Sequence, residues 1–245
     1  MFLKRILKNI FCFFRNFLPP QKGASVLMYH SIGNNNYFLS VKPKNFEKQM
    51  TYLKEKNFNV ISLTELVDLL ILQKTIPFKT VVLTFDDGYE DNYLKAWPIL
   101  KKLQLPATIF LATDKIEAQA MLKWKQIKEM HESGLIDFQP HTASHPKLNQ
   151  IKPKEAEKEI LKSKEVIEEK LDKECFFFAY PKGRFNEEVI EVVKKLGFRA
   201  ALSTISGRVN LKDDLFTLKR NSVSLATSFC QFKTKALSYI PKLKK

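Results

Sequence analysis

The sequence is poor in cysteine and has no long uninterrupted apolar run. Its three cysteines, Cys12, Cys175 and Cys230, include no C-x-x-C pair, so the pattern predicts neither a disulfide framework nor a cysteine-rich metal site. We expect these thiols to behave as small apolar side chains in a reducing compartment. The first 18 residues mix apolar and basic residues and lack a small-residue cleavage site, which argues against a secretory signal and against a membrane-spanning helix.

Acidic residues are scarce relative to basic ones. Lys and Arg number 41 against 26 for Asp and Glu, which gives a formal net charge of +15. This surplus favours an anionic partner such as a membrane surface, a phosphate group or nucleic acid, and charge alone does not choose among them. The sequence has no nucleic-acid-binding motif, and its aromatic residues are not interleaved with arginine, so nucleic-acid binding is not expected.

An amphipathic segment stands at the amino terminus. On a helix, the apolar side chains of residues 1–20 fill one half of the surface and the basic side chains the other. This pattern is typical of a helix at a membrane interface, and a helix packed on its own domain is the alternative. We predict an amphipathic helix over residues 1–20, one folded domain over residues 24–223 and a basic tail over residues 224–245. The expected location is the cytoplasm, attached peripherally to the anionic inner face of the cell membrane.

Short apolar runs alternate with longer helical periodicities through the middle of the chain. The length of 245 residues and the 44% apolar composition fit a single α/β domain, built as a barrel or as an open sheet. The predicted strands are residues 25–29, 80–85, 107–112, 136–139, 176–180, 200–203 and 216–219.

Polar residues follow two of these strands directly. Asp86 and Asp87 come after residues 80–85, at the end of a strand where parallel α/β enzymes place their sites, although Asp-Gly is also typical of a tight turn. His141 and His145 follow residues 136–139. Two histidines and one carboxylate match the ligands of a zinc site that keeps one position open, and polar loop histidines are the alternative.

Two motifs together resemble a known family, and a further fragment resembles one of its subgroups. TFDDGY at residues 84–89, followed by HTASH at residues 141–145, resembles the polysaccharide deacetylase family. VLMYHS at residues 26–31 resembles the opening motif of its circularly permuted members, which deacetylate exopolysaccharide. Over residues 24–223 the resemblance implies an α/β fold, a distorted (β/α) barrel with about seven strands in a single domain.

The resemblance also implies a role for each matching residue. Asp87, His141 and His145 would bind a divalent metal ion, for which zinc is the expected identity. Asp86 would be the catalytic base that takes a proton from the attacking water. Most members of the family carry a histidine near the carboxyl end that protonates the leaving amine, but no histidine follows His145 in this sequence. In the permuted members the histidine of the opening motif does this, so the resemblance assigns His30 as the general acid, with a structural histidine as the alternative.

A third motif departs from the family pattern. FAYPKG at residues 178–183 stands where the family has an arginine-containing segment that ends Pro-Tyr-Gly. Ala179 replaces the arginine, and Lys182 replaces the tyrosine whose backbone N–H helps to bind the oxyanion. A backbone donor survives this substitution, so Lys182, with Tyr180 and Pro181, is predicted to form the substrate and oxyanion segment.

The missing arginine leaves Asp86 without an assigned partner. Arg220, at the end of predicted strand 216–219, is expected to support it, with an ordinary surface arginine as the alternative. We therefore predict a metal-dependent hydrolase that removes an N-acetyl group from an amino sugar of a glycan or glycolipid, such as lipopolysaccharide or a polyprenyl-linked sugar. The alternatives are a deformylase of a lipid-linked amino sugar and a catalytically lapsed sugar- or lipid-surface-binding protein.

Overall fold

Parallel strands follow one another around the centre of the molecule. The computed structural model describes residues 22–237. In this range the strands are β1 (Ser25–Tyr29), β2 (Asn59–Val60), β3 (Thr80–Asp87), β4 (Ala107–Leu111), β5 (Ile136–Pro140), β6 (Phe177–Ala179), β7 (Ala200–Leu202) and β8 (Asn221–Ser222). The α-helices are α1 (Pro43–Glu55), α2 (Leu63–Ile71), α3 (Trp97–Leu103), α4 (Trp124–Glu132), α5 (Pro153–Leu171), α6 (Glu187–Lys195) and α7 (Phe229–Leu237).

Two sheets and two linking contacts close the barrel. The larger sheet has the order β5-β4-β3-β1-β8, with β2 paired to β3 outside this path, and β6 pairs with β7. Between β5 and β6, the side-chain oxygen of Gln139 accepts hydrogen bonds from the backbone N–H groups of Phe176 and Phe177, at 3.0 and 2.9 Å. A parallel bridge joins Leu202 of β7 to Leu218, just before β8. Apart from β2, the described strands thus encircle the core, which confirms the predicted distorted barrel with about seven strands.

The last predicted strand, residues 216–219, differs most from the structure. Residues 216–219 were expected to be extended, but the chain makes a 3₁₀ turn over Leu215–Thr217, and β8 begins only at residue 221. The carboxylate of Asp214 accepts hydrogen bonds from the Phe216 N–H at 3.0 Å and from the Thr217 hydroxyl at 3.3 Å. Such local side-chain bonds compete with strand pairing, so the short apolar run turns instead of extending.

Both predicted terminal segments fall partly or wholly outside the described residues. The amphipathic helix predicted over residues 1–20 lies outside them. The segment predicted as a basic tail, residues 224–245, contains α7, whose Phe232 is buried in the core. The division of the chain into three parts stays a prediction. Among residues 22–237, none of the helices is long and apolar enough to cross a membrane.

Arg208 ties the two ends of the described chain together. Its buried guanidinium donates to the backbone carbonyls of Lys22 at 3.0 Å, of Ala236 at 3.1 Å and of Gly23. Arg208→Met should therefore lower the free energy of unfolding by about 3 kcal/mol, because three backbone carbonyls, two of them buried, lose a charged donor. Urea denaturation measures this loss, and Arg184→Met, at an exposed arginine, should change stability by less than about 0.5 kcal/mol. Equal stability of the two variants would contradict the prediction.

Candidate metal and catalytic site

Strand register brings the polar motifs to one end of the barrel. Tyr29 of β1 is paired with Phe85 of β3, so the residues that follow them, His30 and Asp86, lie at the same carboxyl end. His141 directly follows β5, which β4 connects to β3 in the same parallel sheet. Functional groups in parallel α/β barrels gather at this end because the loops after the strands meet there.

Asp87, His141 and His145 form a cluster suited to a metal ion. Each offers one ligand atom, and these atoms all lie within 4.8 Å of one another. The Asp87 Oδ1 atom is 3.2 Å from His145 Nε2 and 3.9 Å from His141 Nε2. This oxygen is buried and has no hydrogen-bond partner among residues 22–237. A buried carboxylate oxygen facing two imidazole nitrogens fits the two-histidine, one-carboxylate set of a catalytic zinc site.

The backbone and a carbonyl group orient these three side chains. His141 Nδ1 lies 2.6 Å from the carbonyl oxygen of Ala179, which holds the proton on Nδ1 and leaves Nε2 to bind a metal. The His145 N–H donates to Thr142 Oγ1 at 3.0 Å. Asp87, Thr142 and His145 have positive φ angles of 77°, 67° and 67°. Such strained conformations cluster at functional sites, where the surrounding structure holds them.

A carboxylate on α5 fixes the loop that carries the histidines. The N–H and hydroxyl of Ser144 both donate to the carboxylate of Glu159, at 2.8 Å each, and the Ala143 N–H donates to the Glu159 carbonyl at 3.0 Å. This role could not be predicted from sequence, because Glu159 lies in a Lys- and Glu-rich segment whose charge spacing predicts only a solvated helix face.

Asp86 forms a buried ion pair with Arg220. The guanidinium donates to both carboxylate oxygens, at 2.7 and 2.8 Å, and its Nε–H donates to the Ser203 carbonyl at 2.9 Å. Burial raises the pKa of Asp86, but the positive charge of Arg220, followed by His141 and His30, outweighs it and lowers this pKa to about 2. Asp86 is therefore an oriented carboxylate at neutral pH, and the barrel supplies an arginine where the third motif lacks one.

His30 is held at the same end by its own backbone. It is buried, and its Nδ1 has no hydrogen-bond partner in the described part of the chain. The side-chain amide of Asn92 donates to the His30 carbonyl at 2.8 Å, and Asp91 accepts from the N–H of Ile32 at 2.9 Å. Asn92 opens a π-helical turn, Asn92–Ala96, in the stretch that follows TFDDGY. Turns of this kind are frequent at functional sites.

The third motif, FAYPKG, has two buried side chains and one exposed side chain at the three predicted site residues. Tyr180 is fully buried, and its hydroxyl donates to the Phe216 carbonyl at 3.0 Å, while Pro181 is also buried. Lys182 has a left-handed backbone, with φ at 56°, and an exposed side chain. Its positive charge is one of the factors that lower the pKa of His145, which places it beside the metal-binding cluster.

Protons should compete with a metal ion for this cluster only at acidic pH. Burial and then His141, with smaller effects of Lys115 and Lys182, lower the pKa of His145 to about 4 against the opposing charge of Asp87. Because only neutral imidazole binds a metal, affinity should be constant from about pH 8 to about pH 6 and fall below about pH 5. Calorimetric titration with Co²⁺ measures it. A steady decline beginning at about pH 6.5, the ordinary histidine pKa, would contradict the prediction.

Known proteins share this arrangement of sequence and fold. The sequence profile described as polysaccharide deacetylase matches residues 73–201. YxkH of Bacillus subtilis (strain 168) is 34% identical over 207 residues, which are 84% of this chain and 74% of YxkH. The poly-beta-1,6-N-acetyl-D-glucosamine N-deacetylase of Staphylococcus aureus (strain MRSA252) is 30% identical over 219 residues, covering 76% of this chain and 75% of the relative.

Solved structures give the same result. The Streptococcus pyogenes deacetylase PplD, in complex with acetate, superimposes with a TM-score of 0.81 at 30% identity, over 89% of this chain and 99% of PplD. IcaB from Ammonifex degensii has a TM-score of 0.80 at 26% identity, with the same two coverages of 89% and 99%. The likeness therefore extends through nearly all of the described barrel.

Proposed function

Because this chain belongs to the polysaccharide deacetylase family, we propose that it hydrolyses the N-acetyl group of an amino sugar within a glycan and releases acetate. One observation carries the proposal: the cluster of Asp87, His141 and His145 lies next to a carboxylate, Asp86, that Arg220 holds ionised and oriented. Amide hydrolysis needs both parts, an electrophilic centre to activate the reactants and a base to take a proton from water.

The residues of the cluster fit a divalent metal ion. The Asp87 Oδ1 atom and the Nε2 atoms of both histidines would hold it, and zinc is the expected identity because the donors are two imidazoles and one carboxylate. When bound, the ion would supply Lewis-acid activation of water and of the amide carbonyl. The pKa of His141 is lowered mainly by burial, so this imidazole is neutral and ready to bind a metal at neutral pH.

Different residues of the chain carry out the two proton transfers. Asp86 accepts the proton of the attacking water, and its bidentate pair with Arg220 fixes the direction of its lone pairs. His30 donates a proton to the departing amine. Its buried position and its Nδ1 atom, which has no hydrogen-bond partner among residues 22–237, suit it to this role. The backbone N–H of Lys182 serves the oxyanion of the tetrahedral intermediate.

The relatives support acetyl as the acyl group and an amino-sugar polymer as the substrate. One relative is named for its action on poly-beta-1,6-N-acetyl-D-glucosamine, and one structural neighbour was solved with acetate, the acid that deacetylation releases. A glycolipid substrate such as lipopolysaccharide, and attachment to the inner face of the cell membrane, rest on the net charge of +15 and the amphipathic sequence of residues 1–20.

The test is to incubate the purified, zinc-loaded protein with β-1,6- and β-1,4-linked N-acetylglucosamine oligomers and with their N-formyl counterparts. Acetate and free amine should appear in equal amounts from an N-acetyl oligomer. Formate release that exceeds acetate release would favour the deformylase instead. Binding of oligomers without release of either acid would favour a lapsed enzyme, and both results contradict the proposal.

A further inference from the structure

The loop after β1 is tied to the catalytic end of the barrel by polar side chains. This segment, residues 33–40, is termed the 33–40 loop. The Ser31 hydroxyl donates to Asp91, and the Asn35 side-chain amide donates to the Ser31 hydroxyl at 3.1 Å. The buried Ser40 hydroxyl donates to the Asn35 side-chain carbonyl. Both ends of the loop are therefore linked through Ser31 to the half-buried carboxylate of Asp91, two residues after the TFDDGY motif.

This fixed loop presents two aromatic rings to solvent. Tyr37 is 37% exposed and Phe38 is 68% exposed, and their ring centroids lie 5.4 Å apart. The ring of Tyr37 lies 6.0 Å from that of Tyr89, two residues after Asp87.

Two adjacent exposed aromatic rings beside a polar site suit a ligand that is apolar on one face and polar at its edge. A pyranose ring has C–H groups on its faces and hydroxyl groups around its edge, so its face can cover an aromatic ring while its edge remains in water. Ligand sites commonly combine aromatic walls with a few oriented polar groups in this way. An acyl chain would instead require a continuous apolar surface, whereas the neighbours of these rings in the loop include Asn34, Asn35 and Asn36.

We infer that Tyr37 and Phe38 form a binding subsite for the sugar unit next to the one whose N-acetyl group faces Asp87. The inference rests on the proposed function, since it assumes a glycan of at least two units. Its consequence is a preference for chain length. An acetylated monosaccharide reaches only the catalytic centre, whereas an oligomer also covers the two rings and binds more tightly.

The experiment compares four proteins: the unaltered chain, Phe38→Ala, Phe38→Trp and Phe78→Ala. Phe78 is a matched control because its exposure, 67%, is within 1% of that of Phe38, and it precedes β3 at the opposite end of the barrel. Two quantities are measured with a β-1,6-linked N-acetylglucosamine pentamer. One is the KM for acetate release by the zinc-loaded protein, and the other is the Kd from calorimetric titration after chelation has stopped turnover.

Phe38→Ala should raise both KM and Kd for the pentamer about tenfold, as expected for the loss of one stacked ring, and Phe38→Trp should restore them. Phe78→Ala should match the unaltered chain. Equal pentamer affinity in the Phe38→Ala and Phe78→Ala variants would overturn the subsite, as would a pentamer that the unaltered chain does not bind. Binding that depends on Phe38 without any release of acetate would support the subsite and contradict the proposed function alone.

Discussion

Arg220→Met is expected to lower kcat for acetate release by about 100-fold or more and to lower the free energy of unfolding by about 3–5 kcal/mol. Both effects have one cause. The variant leaves the carboxylate of Asp86 buried without its two hydrogen bonds, so the charge is costly to the fold and the base loses its orientation. Steady-state kinetics and urea denaturation measure the two losses separately.

Arg208→Met is the matched control for this variant. Arg208 is also a buried arginine, but its partners are backbone carbonyls near the chain ends and not the catalytic site. It should lose comparable stability while the folded fraction keeps its kcat. If Arg220→Met also kept its kcat, the ion pair with Asp86 would be a purely structural feature, and the assignment of Asp86 as the oriented base would be wrong.

The pH dependence of Arg220→Met separates loss of orientation from simple loss of structure. In the unaltered chain the pKa of Asp86 is lowered to about 2, so the stability that its ion pair contributes is complete above about pH 4 and is lost as the pH falls toward 2. Without Arg220, burial acts on Asp86 unopposed by that charge and raises its pKa. The acid limb of kcat against pH should therefore move to higher pH in the variant. An unmoved acid limb would contradict this reasoning.

His30→Gln should reduce kcat for the N-acetyl oligomer by about 100-fold, because the departing amine then lacks its proton donor. The reduction should be much smaller with 4-nitrophenyl acetate, whose leaving group departs as an anion and needs no proton. Comparing kcat on the two substrates thus isolates proton donation from other effects of the change.

The chain offers a matched histidine for this test. His131 on α4 also has an Nδ1 atom without a hydrogen-bond partner among residues 22–237, but it lies outside the site. His131→Gln should leave kcat unchanged on both substrates. If His30→Gln slowed the amide and the activated ester equally, His30 would be a structural residue and the general acid would have to be another group.

The fold could be predicted from sequence wherever a strand or helix is specified by its own residues. Strand β1 has its predicted bounds and β3 begins at its predicted residue, because apolar runs are local signals. The stretch at residues 216–219 failed because an apolar run of that length is equally compatible with a turn capped by Asp214. Which strands close the barrel depends on contacts such as that of Gln139, which no local pattern reveals.

In the site, too, local sequence features could be predicted and long-range contacts could not. Asp87 and His141 could be proposed because each lies at the carboxyl end of a strand whose apolar run is recognisable in the sequence. The pairing of Arg220 with Asp86 joins residues 134 positions apart, so the sequence could offer it only as an expectation. Glu159 and Asp91, which hold the loops of the site, could not be found, since a carboxylate that binds backbone N–H groups looks like any other acidic residue in the sequence.

Acetate release before and after removal of metal is the most direct measurement of metal-dependent deacetylation. The chelated protein and an Asp87→Asn variant are each assayed on an N-acetylglucosamine oligomer, without and with added Zn²⁺. We predict that the chelated protein releases no acetate, that Zn²⁺ restores its full rate, and that Asp87→Asn stays inactive under both conditions because a ligand has been lost. Full activity of the chelated protein, or of Asp87→Asn without metal, would contradict the assignment of Asp87, His141 and His145 as a catalytic metal site.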